Sequence, residues 1–334
     1  MLDSLISAAI IGAMFLTRRA FAKATLGAGS ALSGLAMAGE LRTTALGQTL
    51  PAANGSLNRS LNRSLINGVQ FALEPFCYHD LVMSRENRGE LIRRFVRNGF
   101  GMAEVHATWV EPNFAASGVP PAEAREQLRR WRVSATDAYY LDVKKEFDEA
   151  GVAICAYFTQ LNESYTDEEV DATFRAARLL GAKGCVGSYG LARAKHLSTF
   201  PGKHQLFLGL HNHDNLSDPD AFSNEASLVK GLAYGPDVKA VLDVRHFVAG
   251  NGDCLAFLER HHAQTVAVHL GDRRRNNGRS TPFGEGDAPI IEILRMLRDN
   301  QWPITVVIEF EHGTLRPAVE EVDLMFDYCK RAIA

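Results

Sequence analysis

Four apolar runs in the second half of the chain each end in a residue able to bind a divalent metal. Leu206–Leu210 ends in His211, Val238–Leu242 in Asp243, Thr265–Val268 in His269 and Ile304–Ile308 in Glu309. Two imidazoles and two carboxylates form a mixed nitrogen–oxygen donor set, which suits Mn, Co, Zn or Fe better than Ca. A single polar residue at the end of a buried strand is ordinarily just a satisfied polar group. Four at equivalent positions predict one divalent ion (Mn, Co, Zn, Mg or Fe) held by His211, Asp243, His269 and Glu309. Glu309 is the best carboxylate for a double role as ligand and base. Such an ion is a Lewis acid that polarises a bound carbonyl, so proton movement next to a carbonyl is one chemistry the set supports.

Positioning four ligands in this way requires parallel strands that finish on one face. From residue 67 onward, strand-like and helix-like patterns alternate. Strands are expected at Val69–Leu73, Gly101–His106, Val152–Tyr157, Gly184–Ser188, Leu206–Asn212, Val238–Asp243, Thr265–Leu270 and Ile304–Glu309. Helices are expected at Glu90–Asn98, Asp137–Ala150, Thr166–Leu180, Phe222–Leu232, Gly252–His262, Pro289–Asn300 and Ala318–Ala332. Thr166 and Glu169 have the spacing of a capping box. Eight strands interleaved with helices predict a single (β/α)8 TIM barrel of the α/β class. About 17 residues separate the fourth and fifth strands, and they include Pro201 and Gly202, so the fourth crossover is expected to be shortened. Period-two alternation puts Gly209, Thr265, Ala267, Thr305 and Val307 in phase with the ligands, facing inward. It turns Leu208, Leu210, Val266, Val268, Val306 and Ile308 toward the helices. An open doubly wound sheet is the rival, but no Gly-x-Gly-x-x-Gly follows the first strand.

The motifs occur in a telling order: His211-Asn212-His213-Asp214, Asp243-Val244-Arg245-His246, Val268-His269-Leu270-Gly271-Asp272, Pro282-Phe283-Gly284-Glu285-Gly286-Asp287, and Ile308-Glu309. The set resembles the sugar phosphate isomerase/epimerase family of xylose isomerase-like TIM barrels, over about residues 67–334 and most strongly from 206. The resemblance implies a metal-dependent isomerase or epimerase acting on a ketose or keto-sugar. It also maps the family's metal ligands onto the same four residues and gives His246 contact with substrate oxygens, where it would polarise the carbonyl or shuttle a proton. His213 and Asp272 become candidate substrate contacts. Two departures stand out. The ketose 3-epimerases carry a catalytic Glu where this chain has His211, and the usual Lys of His-x-Lys-Asp is Gly271. The same enolate serves a lyase or dehydratase acting on keto-sugars or inososes. A sugar-binding protein without turnover and a hydrolase resembling endonuclease IV are the remaining alternatives.

Other polar residues lie near the expected mouth of the barrel. Glu104 and His106 share a strand face and are candidate substrate contacts by position. His79 and Asp80 follow the first strand, and Trp109 is placed to wall the pocket. Arg273-Arg274-Arg275 is read as a solvated loop and His261-His262 as surface.

The first 50 residues read as an address. Thr17-Arg18-Arg19-Ala20-Phe21-Ala22-Lys23, followed by a Gly/Ala-rich run to Ala38, resembles a twin-arginine export signal. The domains expected are a signal peptide over 1–38, with Met14 a candidate true start, a flexible linker over 39–66 and the barrel over 67–334. The partners implied are the twin-arginine translocation machinery and a small sugar, with a periplasmic location. No run supplies ~20 uninterrupted apolar residues, so no membrane anchor is expected after processing. The 334 residues carry a net charge of −3, which gives no broad basic surface for nucleic acid. Cysteines at 77, 155, 185, 254 and 329 form no Cys-x-x-Cys pair, which argues against a thiolate zinc site or a disulfide scaffold.

Overall fold

A computed structural model describes residues 62–314 and 316–334. The expected signal peptide and most of the expected linker lie outside the described residues. Eight parallel strands make the barrel: β1 Val69–Leu73, β2 Met102–His106, β3 Ala153–Phe158, β4 Gly184–Gly187, β5 Phe207–His211, β6 Val238–Asp243, β7 Thr265–Leu270 and β8 Thr305–Ile308. Each pairs with the next, and β1 pairs with both β8 (Phe71 opposite Val306) and β2 (Leu73 opposite Ala103), so the sheet closes. The fold is the (β/α)8 barrel expected, with every strand within two residues of its predicted ends. Residues 62–66 form a 3-10 turn and a short strand whose Leu65 and Ile66 pair antiparallel with the start of β1.

The helices form the outer layer. Thr166 caps its helix as expected: its hydroxyl accepts from the Glu169 amide, and the Glu169 carboxylate accepts from the Thr166 amide. Two helices begin later than expected because capping residues lie further along. Asn224 caps Glu225–Leu232 and Asp253 caps Cys254–His261, each accepting the amide of the third residue after it. Two further helices, Pro121–Ser134 and Val244–Ala249, were not anticipated. The fourth crossover is short, consisting of Leu191–Leu197 and Pro201–His204. Among the described residues no helix is long and apolar enough to cross a membrane. All five cysteines are free.

Most of the apolar core lies between barrel and helices, and a smaller cluster fills the barrel. Ala156, Val186 and Val241 form this inner cluster, with Cys155, Phe158, Phe207, Val266 and Ala267 packed on it. Val266 departs from the expected alternation. Between Ala240–Thr265 and Val241–Ala267 the pairing skips one residue, and the extra residue, Val266, turns inward. The interior is tight. A Cβ on Gly209 would sit 2.8 Å from Val186 and 3.0 Å from Val241, so only glycine fits there.

Candidate active site

The C-terminal ends of β5 to β8 bring the four predicted ligands together. His211, Asp243, His269 and Glu309 are all buried, and one donor atom from each lies within 4.8 Å of the others. The Asp-x-x-His spacing has a local cause. Asp243 is the N-cap of helix Val244–Ala249, and its Oδ1 accepts the amide of His246 at 3.0 Å. Asn212 fixes the backbone of Asp243 from the other side, accepting its amide at 2.8 Å and donating to its carbonyl at 3.0 Å. His211 Nε2 also lies 3.4 Å from Asp243 Oδ2. His211 Nδ1 shares a hydrogen bond with Ser188 Oγ at 3.1 Å. His269 Nδ1 meets Glu309 Oε2 at 2.8 Å, and its Nε2 lies 3.4 Å from Glu104 Oε1.

The donor set fits a divalent ion. Nε2 of His211 and Nε2 of His269 are buried without a hydrogen-bond partner, an expensive state for polar atoms unless a ligand satisfies them. The protonation pattern differs between the two imidazoles. Burial, helped by the charge of His269, lowers His211 to about 4 and keeps it neutral. Burial opposes charge on His269 too, but Glu104 and Glu309 outweigh it and raise His269 well above its ordinary value. Burial also works against ionising Asp243 and Glu309. Arg245, chief among their cationic neighbours, nevertheless holds both carboxyls well below the usual range.

Arg245 is a buried member of the cluster that no apolar run along the chain marks. Its Nη2 bridges Asp243 Oδ2 at 3.0 Å and Glu309 Oε1 at 2.9 Å, and its Nη1 reaches Glu311 at 2.7 Å. The space for it comes from Gly271. A Cβ there would lie 2.2 Å from Arg245 Cδ and 2.6 Å from the Glu309 carbonyl oxygen. The glycine at the usual lysine position and the arginine inside Asp-x-x-His therefore belong together, because a side chain at 271 would expel the guanidinium.

The other candidates divide into two groups beside this quartet. His213, Asp214 and His246 cluster on one side. The His213 and His246 rings lie 4.0 Å apart, and Asp214 meets His246 Nδ1 at 3.2 Å and Arg273 at 2.7 Å. His246 Nε2 stands 3.8 Å from Asp243 Oδ2. Burial lowers the affinity of His246 for a proton, but Asp243 and Asp214 raise it above the ordinary value overall. Arg273 therefore belongs to the site, while Arg274 and Arg275 are exposed as expected. Glu74, Glu104 and His106 cluster on the other side. Both oxygens of Asp272 are engaged by the backbone: Oδ1 accepts the amides of Arg273 and Ala288, and Oδ2 those of Gly284 and Gly286. Trp109 is fully buried in the core, and Asp80 is paired with Arg94 at 2.6 Å. His79 is exposed, its ring 5.6 Å from Phe310. His261 pairs with Glu225, and His262 stacks on Trp302.

The xylose isomerase-like TIM barrel family model matches residues 66–329. The chain belongs to that family. Similar solved structures include a xylose isomerase domain protein from Alicyclobacillus acidocaldarius, with 16% identity over 79% of this chain and 98% of that chain and a TM-score of 0.60. The D-psicose 3-epimerase of Clostridium cellulolyticum H10 shares 12% identity over 79% and 99% of the two chains, with a TM-score of 0.56. The probable 3-DHS dehydratase AsbF of Bacillus anthracis shares 12% identity over 77% and 97%, with a TM-score of 0.56. At these identities the likeness establishes the fold. No curated protein matches the chain.

Proposed function

We propose that the protein is a metal-dependent sugar isomerase or epimerase that moves a proton next to the carbonyl of a ketose or keto-sugar. The observation that carries this reading is the convergence of His211, Asp243, His269 and Glu309, with two buried imidazole nitrogens that make no hydrogen bond and each lie 3.4 Å from a carboxylate oxygen. These four residues would hold one divalent ion, which when bound supplies Lewis acidity to a carbonyl and an adjacent hydroxyl. Burial opposes charge on Glu309, but Arg245 and His269 favour its ionised form, and it accepts the α-proton. Arg245 holds the Glu309 and Asp243 carboxylates side by side. His246, oriented by Asp214 and Arg273, directs its Nε2 side toward Asp243 and contacts substrate oxygen. Glu104 has two buried oxygens that accept no hydrogen bond within the chain, and sugar hydroxyls donate to them. A lyase reading draws on the same enolate and is favoured by the dehydratase among the similar structures.

Two variants test the site. His269→Ala removes a ligand and is expected to lose most bound metal. Glu309→Gln keeps an amide oxygen but not the base, so it retains some metal yet loses deuterium uptake at the carbon next to the carbonyl. Metal analysis and proton NMR in heavy water read the two effects separately. A wild-type protein without metal, or a Gln variant exchanging at the wild-type rate, defeats the reading. We also propose export by the twin-arginine route, supported by Arg18-Arg19-Ala20-Phe21-Ala22-Lys23. N-terminal sequencing of periplasmic material should then start near Gly39.

A further inference from the structure

The cluster on the β1–β2 side has a different build from the metal quartet. Glu74 follows β1 directly, and its amide donates to the Ile308 carbonyl oxygen of β8 at 3.1 Å. The side chain caps the turn Pro75–Cys77: Oε2 accepts the Phe76 amide at 2.6 Å. With one oxygen fixed in this way, Oε1 is in ion-pair contact with Nε2 of His106 at the end of β2. The imidazole is stacked on Phe158 with ring centroids 4.5 Å apart. Glu74 is buried, whereas the His106 side chain keeps 18% of its surface open. A buried, backbone-held carboxylate behind a partly open imidazole is the arrangement that orients a histidine for proton transfer.

Two contacts join this pair to the metal quartet. Glu104 lies within the same cluster and reaches His269 Nε2 at 3.4 Å. Phe158, under the His106 ring, meets the His211 ring edge-on at 5.8 Å. Glu104 is almost wholly buried, and neither of its oxygens accepts a hydrogen bond within the chain, with His269 Nε2 at 3.4 Å only an ion-pair neighbour, so a hydroxyl donor would satisfy it. We propose that His106, positioned by Glu74, is a second proton-transfer residue of the site, working on the same substrate as Glu309. This rests on the isomerase or epimerase reading and adds to it the group that returns the proton.

The steps balance without an oxidant or reductant. The α C–H bond breaks, its proton passes to Glu309, and its electron pair enters the enediolate. Protonated His106 gives up its N–H proton to a carbon of the enediolate. That carbon's new C–H bond forms from the enediolate electron pair as the carbonyl returns. Glu309 and His106 then reset by losing and gaining one proton through solvent. The charged groups facing His106 are Glu74, Glu104 and Glu309. Burial disfavours its charge, but these carboxylates, Glu74 first, raise it above the ordinary histidine value.

The test uses the full-length protein loaded with Mn2+, with D-fructose and D-tagatose as probes in heavy water. His106→Asn should keep its metal and exchange the α-proton within about threefold of wild type, while product formation falls about 100-fold, the size of a lost general acid. Glu74→Gln keeps the cap acceptor but not the charge. The loss of rate on raising pH should then set in at lower pH, a shift that a merely structural residue would not cause. Wild-type turnover in His106→Asn overturns the proposal, and so does joint loss of exchange and turnover with metal retained. Absence of exchange in the wild type counts instead against the isomerase reading. In that event imidazole NMR decides the dyad: His106 must titrate higher in wild type than in Glu74→Gln, and equal titrations refute it.

Discussion

At the scale of single residues the site is a problem in charge. Four buried carboxylates, Glu74, Glu104, Asp243 and Glu309, gather around the mouth with Arg245 as the one permanently charged cation bridging two of them. Removing one partner of a buried ionic cluster costs roughly 3–5 kcal/mol, because the other charges are left uncompensated. Arg245→Met should therefore lower the melting temperature of metal-free protein markedly. Added Mn2+ should restore more stability to this variant than it adds to wild type, since a cation among the same carboxylates takes over the missing charge. Gly271→Ala should act on the same arginine from outside. Its Cβ meets Arg245 Cδ and the Glu309 carbonyl oxygen well inside contact distance, and such overpacking costs about 1–3 kcal/mol. Thermal melts with and without metal check both. The four clustered residues His211, Asp243, His269 and Glu309 were legible because each closes an apolar run, whereas Arg245 was not. Its role depends on a void left by a residue 26 positions away in sequence, and no pattern along the chain records that pairing. Glu74 was hidden for a similar reason: it follows β1 as an ordinary turn residue, and only the fold brings it to His106.

Secondary structure turns these residues into a site through caps and loops. Asp243 serves both as the last residue of β6 and as the cap of the helix that carries His246, which is why the motif spaces them by three. Asp272 does comparable work for the loop after β7. Its carboxylate gathers four backbone amides between Arg273 and Ala288, and that loop presents Arg273 to Asp214 and His246. Hydrogen bonds to a charged group are worth roughly 1.5–3 kcal/mol each at most. Asp272→Asn, which loses the charge and one acceptor, should loosen residues 273–288 first. Hydrogen exchange should quicken there by at least tenfold while β5 to β8 stay protected; uniform quickening would mean that Asp272 supports the whole barrel instead. Element by element, the strands could be read because each is a short apolar run bounded by turn residues. Pro121–Ser134 could not: its sequence is dominated by Arg, Glu and Gln, and its inward contacts include the Arg132–Glu111 pair, an ionic link that hydrophobic periodicity does not register. Val244–Ala249 is a helix of six residues inside a motif, too short to show a period.

At the scale of the whole molecule, buried and half-buried ion pairs tie outer helices to one another and, through Glu321, to the loop after β8. Glu169 meets Arg125 at 2.7 Å and Arg132 at 3.3 Å, Asp171 meets His204 at 2.7 Å, and Glu321 meets His312 at 2.9 Å. Burial raises the proton affinity of each carboxylate, but its partners more than compensate, and all three are held below their ordinary values in the folded chain. The unfolded chain therefore binds protons at these positions before the folded one does. Their contribution to stability is complete above the unfolded carboxylate range. It falls away as pH drops through that range toward the folded values, at no more than about 1.4 kcal/mol per pH unit for each group. Urea midpoints should accordingly be insensitive to these groups between pH 6 and 8 and should decline below about pH 5. Glu169→Gln separates this effect from general acid lability. The amide cannot ionise, so the variant should be less stable than wild type at pH 7 by the loss of a buried pair, roughly 3–5 kcal/mol. As Glu169 of the wild type takes up its own proton, the gap should begin to narrow as pH falls toward 3, by no more than about 1.4 kcal/mol per pH unit. A gap that stays constant down to pH 3 would show that Glu169 acts through shape and capping alone, leaving the acid limb of stability to other carboxylates.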